Sequence, residues 1–182
     1  MRWNDLPPDA KPLSISDLAP RLGFVDAIRL LKEREWTMPV VLLQSDVADR
    51  IWQHAKSDNV ELGGLMVGRV FAGEAGEVRA VEIIRAVPSE HFHSTSVSLN
   101  MSPRVWQEAA AYRGANLNVV GWYHTHPNLG AFFSSTDRAT QRSFFREPYS
   151  LGLVVDPIRN EEAWFVGAES QPLVPQQVRV RV

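Results

Sequence analysis

The sequence predicts a single α/β domain, and three observations carry that prediction. Strand-like and helix-like segments alternate along the chain without repeats or low-complexity tracts. No shift in composition marks a second-domain boundary. The 182 residues, 45% of them hydrophobic, are enough to bury a core, because folding at this size removes roughly 70% of the surface an unfolded chain exposes. Folding then needs neither a disulfide nor a structural metal, so any metal bound here is expected to serve function.

Residues 1 to about 14 are polar and proline-bearing and read as a tail. Leu22, Val25, Ile28 and Leu31 recur at near-helical spacing up to Lys32-Glu33-Arg34-Glu35, which predicts an appended amphipathic helix. Residues 1–38 therefore read as an N-terminal extension and 39–182 as the domain proper. Pro39 to Gln44 reads as a strand, and Ser45 as the N-cap of a helix carrying Val47, Ile51, Trp52 and Ala55. Leu62 to Phe71 and Val78 to Val87 are β-prone runs around a turn with two glycines, a hairpin pattern. Pro88 to Asn100 is polar and reads as a loop. Ser102-Pro103 is an N-cap and first-turn pair for a helix ending near Arg113-Gly114. Leu117 to His124 reads as a buried strand stopped by Pro127, and Ser134 or Ser135 caps a helix to about Arg146. Leu151 to Val155 and Ala163 to Val166 are strands, and Val178 to Val182 alternates as an edge strand with two arginines facing solvent.

Charge and composition narrow the function. With 19 Lys+Arg against 21 Asp+Glu the net charge is −2, and no basic run marks a nucleic-acid surface. The absence of cysteine excludes disulfides, thiolate metal sites and a thiol nucleophile. No run of about 18 apolar residues suggests a membrane span. The start of the chain has no apolar stretch of signal-peptide length, so a cytoplasmic location is expected.

The chemistry concentrates in His124-Thr125-His126-Pro127, followed by Ser134 and Asp137. A strand continuing through His126 puts both imidazoles on one face, within reach of a single ion. Asp137 falls 11 residues after His126, in a first helical turn from which a short loop can return its carboxylate to the pair. Two imidazoles and one carboxylate suit zinc, and three protein ligands leave a fourth position open for water. A hydrolytic cycle also needs a proton carrier. Glu61, between the helix after Ser45 and the glycine-bearing strand Leu62 to Gly68, is the candidate. Ser134 can point its hydroxyl at the oxygen that becomes negative.

These residues resemble the signature of the JAMM/MPN metalloprotease family: Glu61 followed by Gly64-Leu65-Met66-Val67-Gly68, then His124-x-His126-Pro127, six residues, Ser134, two residues and Asp137. The spacing matches without gaps, and the resemblance covers about residues 39–168. It implies a mixed β-sheet flanked by helices, a three-layer α/β/α sandwich of the MPN/JAB, cytidine-deaminase-like kind. It further implies one zinc ion (Zn2+) held by His124, His126 and Asp137, with Glu61 as general acid/base and Ser134 as oxyanion stabiliser. The implied activity is that of a deubiquitinase-like isopeptidase or peptidase cutting after the C-terminus of a ubiquitin-like protein, with that protein or its conjugates as partner. Activating and conjugating enzymes of the same pathway are further expected partners, within a bacterial antiphage system. Linkage-selective members carry an insertion after the motif helix. Here only Glu147-Pro148-Tyr149-Ser150 intervenes, which resembles the compact prokaryotic branch.

Two alternatives stand beside this expectation: processing of a sulfur-carrier protein adduct, and a non-catalytic module that only binds a partner. Zinc deaminases need a Pro-Cys-x-x-Cys partner and gluzincins a His-Glu-x-x-His string, and neither is present. Of the remaining candidates, His91 and His93 read as a polar loop and His54 as a boundary residue. Trp106, Trp122 and Tyr123 read as core, together with at least one of Phe132 and Phe133.

Overall fold

The computed structural model describes residues 11–18, 20, 22, 38–89, 92–95, 98–101, 103–112, 116–174 and 178–181. In chain order the elements are β1 (Leu13–Ser14), α1 (Ile15–Leu18), β2 (Val40–Gln44), α2 (Ser45–Ala55), β3 (Gly63–Ala72) and β4 (Val78–Pro88). There follow β5 (Phe92–Thr95), β6 (Ser98–Met101), α3 (Pro103–Ala111), β7 (Asn118–Thr125), α4 (Ser135–Phe144), β8 (Leu151–Asp156), β9 (Glu161–Val166), β10 (Gln171–Pro172) and β11 (Val178–Arg181).

Among the described residues one mixed sheet runs in the order β10-β9-β8-β7-β3-β4-β2-β11, and β5 and β6 form a separate hairpin. β3 pairs antiparallel with both β4 and β7, whereas β7–β8, β2–β4 and β2–β11 are parallel. The parallel β7–β8 step is made possible by α4, which carries the chain back over the sheet.

Strand alternation sorts the core into two faces. Val41, Leu43, Met66, Val70, Val81, Ile83 and Tyr123 point to one side, where Val47, Ile51 and Ala55 of α2 cover them. Leu65, Val67 and Trp122 point to the other, beneath Val105 and Ala109 of α3 and Phe133 and Phe145 at the two ends of α4. Helices on both faces of a mixed sheet make the three-layer α/β/α sandwich that the sequence predicts. At Gly64 any side chain would collide with the Val87 carbonyl and the Tyr123 ring, so β3 can lie between β4 and β7 only with glycine there.

Three local expectations are corrected. Pro88 to Asn100 contains the β5–β6 hairpin, which lies beside α4. Polar composition does not by itself mean that a backbone is unpaired. Leu13–Ser14 is a strand, not tail: β7 reaches only to Gly68 along β3, and β1 takes the vacant edge opposite Phe71 and Ala72. Gln44, not Ser45, occupies the N-cap of α2, and it makes no side-chain capping bond. Leu18, with Leu13, Ile15 and Leu22, covers Val40, Leu42, Phe71 and Ala80. The amphipathic helix expected beyond Leu22, the Ser102 cap and the outlook of Arg179 and Arg181 fall outside what the structure describes. No helix among the described residues is long and apolar enough to cross a membrane.

Candidate metal centre

The motif strand β7 lies between β3 and β8 and is buried almost throughout, which explains its continuous apolar run. At its end His124 stands opposite Gly63 and beside Val154, and the His126 N–H donates to the Val155 carbonyl at 3.0 Å. Alternation through Thr125 brings both buried imidazoles out on one face, their Nε2 atoms 3.2 Å apart.

Beyond Pro127 the turn needs left-handed backbone at Asn128 (φ 60°) and Gly130 (φ 92°). One fully buried carboxylate holds it. Asp156 accepts the backbone N–H groups of Asn128 (3.0 Å), Gly130 (2.7 Å), Ile158 (3.0 Å) and Arg159 (3.0 Å). Burial alone would raise the Asp156 pKa, but the four donors outweigh it and hold the group at about 2. The folded value lies below the unfolded one, so this stabilisation is complete above about pH 4 and is lost as pH falls toward 2. Asp156→Ala should lower the unfolding free energy by about 3 kcal/mol at pH 7. Urea titrations at both ends of the range should show the gap from wild type narrowing at pH 2.

Asp137 arrives from α4. Ser134 is the N-cap, its hydroxyl accepting the Asp137 N–H at 3.2 Å while the Ser134 N–H donates to Asp137 Oδ2 at 2.6 Å, a closed capping box. The Ser-x-x-Asp spacing thus has a structural reason of its own: it fixes the acid at the helix start. Asp137 Oδ1 lies 3.2 Å from His124 Nε2 and Oδ2 3.6 Å from His126 Nε2. Burial pushes the Asp137 carboxyl up, but His124 and the two Ser134 bonds overcome this and hold it at about 2. Burial and the neighbouring His124 push the His126 pKa down, against the opposing pull of Asp137, Glu61 and the Gly130 backbone. The centre is thus predisposed to an ionised carboxylate and a neutral His126, the forms in which such groups ligate a metal.

The donor spacing provides a test of fit. Bonds of 2.0–2.1 Å in a tetrahedron imply ligand–ligand edges of about 3.3 Å. The imidazole–imidazole edge is 3.2 Å, Asp137 presents Oδ1 to His124 at 3.2 Å and Oδ2 to His126 at 3.6 Å, and one donor atom from each of the three residues lies within 4.8 Å of the others. Among the described residues this is the one cluster of three or more His, Asp or Glu side chains with metal-ligand spacing.

Glu61, half-buried, lies just before β3. Continuing the register Gly63↔His124 backward sets it opposite His126 and on the same face as both imidazoles, consistent with its charge acting on His126. Phe133 stacks on Phe165 (centroids 4.1 Å) and fills the space above Gly152, whereas Phe132 remains 47% exposed with its ring 5.0 Å from that of His126. Trp122 and Tyr123 are core, and Trp106 is half-buried against it. His54 is half-buried on the far side of the sheet, its Nδ1 2.9 Å from the Tyr123 hydroxyl, and burial pushes its pKa down. The side chains of His91 and His93 lie outside the described residues.

Like Asp156, Gln141 escaped the sequence reading. Gln141, one turn beyond Asp137, is fully buried and accepts the Trp122 indole N–H at 2.6 Å, while its amide donates to the carbonyls of Ser150 (3.0 Å) and Gly167 (3.3 Å). The same indole stacks on His124 with centroids 4.6 Å apart and planes 10° from parallel. Gln141 thereby ties the helix bearing the acid to the strand bearing the imidazoles. A polar residue one turn from Asp137, on the face turned to the core, was the available signal. Gln141→Leu strands the buried indole N–H, while the Ser150 and Gly167 carbonyls keep the backbone N–H groups of Gly167 and Ser170, and it should cost about 2 kcal/mol in urea unfolding of the metal-free protein.

Fold and site define a class, that of an α/β domain in which a central strand and the helix after it gather two imidazoles and a carboxylate at one sheet end. Within that class, the chain belongs to the prokaryotic homologues of the JAB domain, whose family model matches residues 44–167, and so to the JAMM/MPN metalloprotease family. It is 29% identical over 153 residues to 26S proteasome non-ATPase regulatory subunit 14 of Dictyostelium discoideum, covering 81% of this chain and 48% of that one. With the 26S proteasome regulatory subunit rpn11 of Schizosaccharomyces pombe the identity is 36%, over 56% of this chain and 32% of the relative. COP9 signalosome complex subunit 5 of Debaryomyces hansenii is 31% identical over 60% of this chain and 24% of its own length. The chain thus spans less than half the length of these relatives. The solution structure of a protein from Desulfitobacterium hafniense matches the fold with a TM-score of 0.58, covering 78% of this chain and 92% of that one at 18% identity.

Proposed function

We propose that this protein is a zinc-dependent isopeptidase or peptidase that cuts after the C-terminus of a ubiquitin-like protein, in deconjugation or precursor processing. The observation that carries the reading is the convergence of buried donor atoms from His124, His126 and Asp137 within 4.8 Å of one another, with the Glu61 charge near enough to act on His126. Membership of the JAB family and kinship with proteasome and COP9 signalosome subunits support the substrate class.

His124, His126 and Asp137 would hold the ion. When bound, zinc supplies a Lewis acid and lowers the pKa of a bound water to about 7. Glu61 takes the proton from the attacking water and passes it to the departing amine. The Ser134 hydroxyl, which accepts the Asp137 N–H, keeps its own proton to donate to the developing oxyanion. Exposed Phe132 borders the approach to His126. Residues 145–150 join α4 to β8 with no room for a substrate-sensing insertion, which supports a compact enzyme without linkage selectivity of that kind.

We place this activity in the cytoplasm, in residues 39–182, with 1–38 as an extension and with activating and conjugating enzymes of the same pathway as further partners. The test is a panel of linear fusions and lysine-linked conjugates of ubiquitin-like and sulfur-carrier proteins, offered to zinc-loaded and chelated protein. Release of a modifier with a free C-terminal carboxylate, in the zinc-loaded sample only, is the expected result. Tight binding of a tail with no cleavage would instead favour a partner-binding module.

A further inference from the structure

Thr125 stands between the two imidazoles but on the opposite side of the strand, fully buried and outside the donor set. Its backbone N–H donates to the Leu62 carbonyl at 2.8 Å, extending the β3–β7 ladder one step beyond Gly63. The return bond is unusual. The Leu62 N–H is accepted at 2.9 Å not by the Thr125 carbonyl, as a regular ladder would have it, but by the Thr125 hydroxyl. The same hydroxyl donates its proton to the Val60 carbonyl at 3.2 Å.

Those two partners belong to the two peptide units that flank Glu61. The orientation of the preceding unit sets φ at Glu61 and that of the following unit sets ψ, and together they fix the direction of its Cα–Cβ bond. One hydroxyl therefore holds both dihedrals of the acid, and that hydroxyl sits on the residue between His124 and His126. Val60 itself is 53% exposed and Glu61 has no regular secondary structure, so the segment before β3 relies on its bonds to Thr125 for its attachment to the metal strand.

We infer that Thr125 is a positioning residue that aims the Glu61 carboxylate at the centre formed by His124, His126 and Asp137. The inference rests on the reading of Glu61 as the proton carrier. It explains why a hydroxyl-bearing residue is useful between the imidazoles: valine would fit the strand but could neither accept from Leu62 nor donate to Val60.

The test compares Thr125→Val and Thr125→Ser in the zinc-loaded full chain, using the fusion the wild type cleaves fastest in the panel above. Thr125→Ser should retain kcat within about threefold, because its hydroxyl can make both bonds. Thr125→Val should lose on the order of 100-fold in kcat, the scale of a misplaced catalytic group, at unchanged KM and zinc affinity. In the Glu61→Gln background Thr125→Val should cost nothing further, since a clamp has no effect on turnover once its client has lost its function. Hydrogen exchange should show the Leu62 amide deprotected in Thr125→Val, with the Ser89 amide, bonded to the Gly63 carbonyl, unchanged.

Wild-type kcat in Thr125→Val, losses that multiply with those of Glu61→Gln, or zinc affinity falling in step with turnover would each overturn the inference. Should Thr125→Val not fold, Thr125→Cys carries the same expectations, since its thiol preserves volume but offers only a weak donor and acceptor. Failure of the wild type to cleave any fusion would sink the proposed function instead. The Leu62 amide would then decide the clamp separately, and unchanged protection in Thr125→Val would sink it.

Discussion

Glu61→Gln should bind zinc within about threefold of the wild-type affinity while kcat falls by roughly 10³, the middle of the range for losing a general acid/base. Glutamine preserves the shape and hydrogen-bonding capacity of the side chain but can no longer take up a proton. Glu61 is not among the three side chains whose donors converge, so ligation should not depend on it. Glutamine also keeps the volume of this half-buried side chain, so the variant should fold normally. Isothermal titration with zinc beside steady-state cleavage separates the two quantities. A variant that loses zinc and turnover together would make Glu61 a ligand, and one that keeps full turnover would remove it from the chemistry.

Asp137→Asn should show the converse pattern. The carboxylate does two jobs: Oδ2 accepts the Ser134 N–H within the capping box, and Oδ1 faces His124. An asparagine oxygen can still accept from Ser134, so the start of α4 should persist, with a loss of about 1 kcal/mol or less and a Tm of the metal-free protein within about 4 °C of wild type. The proposed ligand function should not survive, since a neutral amide replaces the charge that a zinc ion would require there. Zinc affinity should fall by at least about 100-fold and turnover with it. Calorimetric melting of the chelated protein, set against competition with a chromophoric chelator, measures both. A large drop in Tm with affinity retained would mean that Asp137 is there for the helix alone.

The two variants probe different routes by which the site is assembled. Asp137 is brought in locally, by a loop held to buried Asp156 and a helix whose start is closed by its own Ser134. Glu61 is brought in by strand register, across a pairing that joins Leu62 to a residue 63 positions later.

Much of this was legible in the chain. The β3–β4 hairpin, strand β7 and helix α4 follow from apolar periodicity, a glycine-bearing turn and a serine cap, all of them signals between neighbours in sequence. The spacing of His124, His126, Ser134 and Asp137 marked the centre for the same reason: alternation along one strand and one short loop are local geometry. The Phe132–Phe133 pair was half legible. That one of them would be core followed from composition, but which one depended on the Phe165 ring and the space above Gly152.

What stayed hidden depended on partners distant in sequence. The β5–β6 hairpin was invisible because its residues are polar, and pairing of its backbone leaves no trace in hydropathy. β1 was invisible because it exists only where β7 stops short along β3. Asp156, Gln141 and Thr125 look like ordinary polar residues until Gly130, Trp122 and Leu62 are folded against them. The sequence by itself determined which donor atoms are present and the order in which one strand and one helix offer them. That the segment bearing Glu61 pairs with the strand bearing the imidazoles is a property of the folded sheet, because a strand's register against a distant neighbour is set by the packing of the whole sheet and not by the residues at the site.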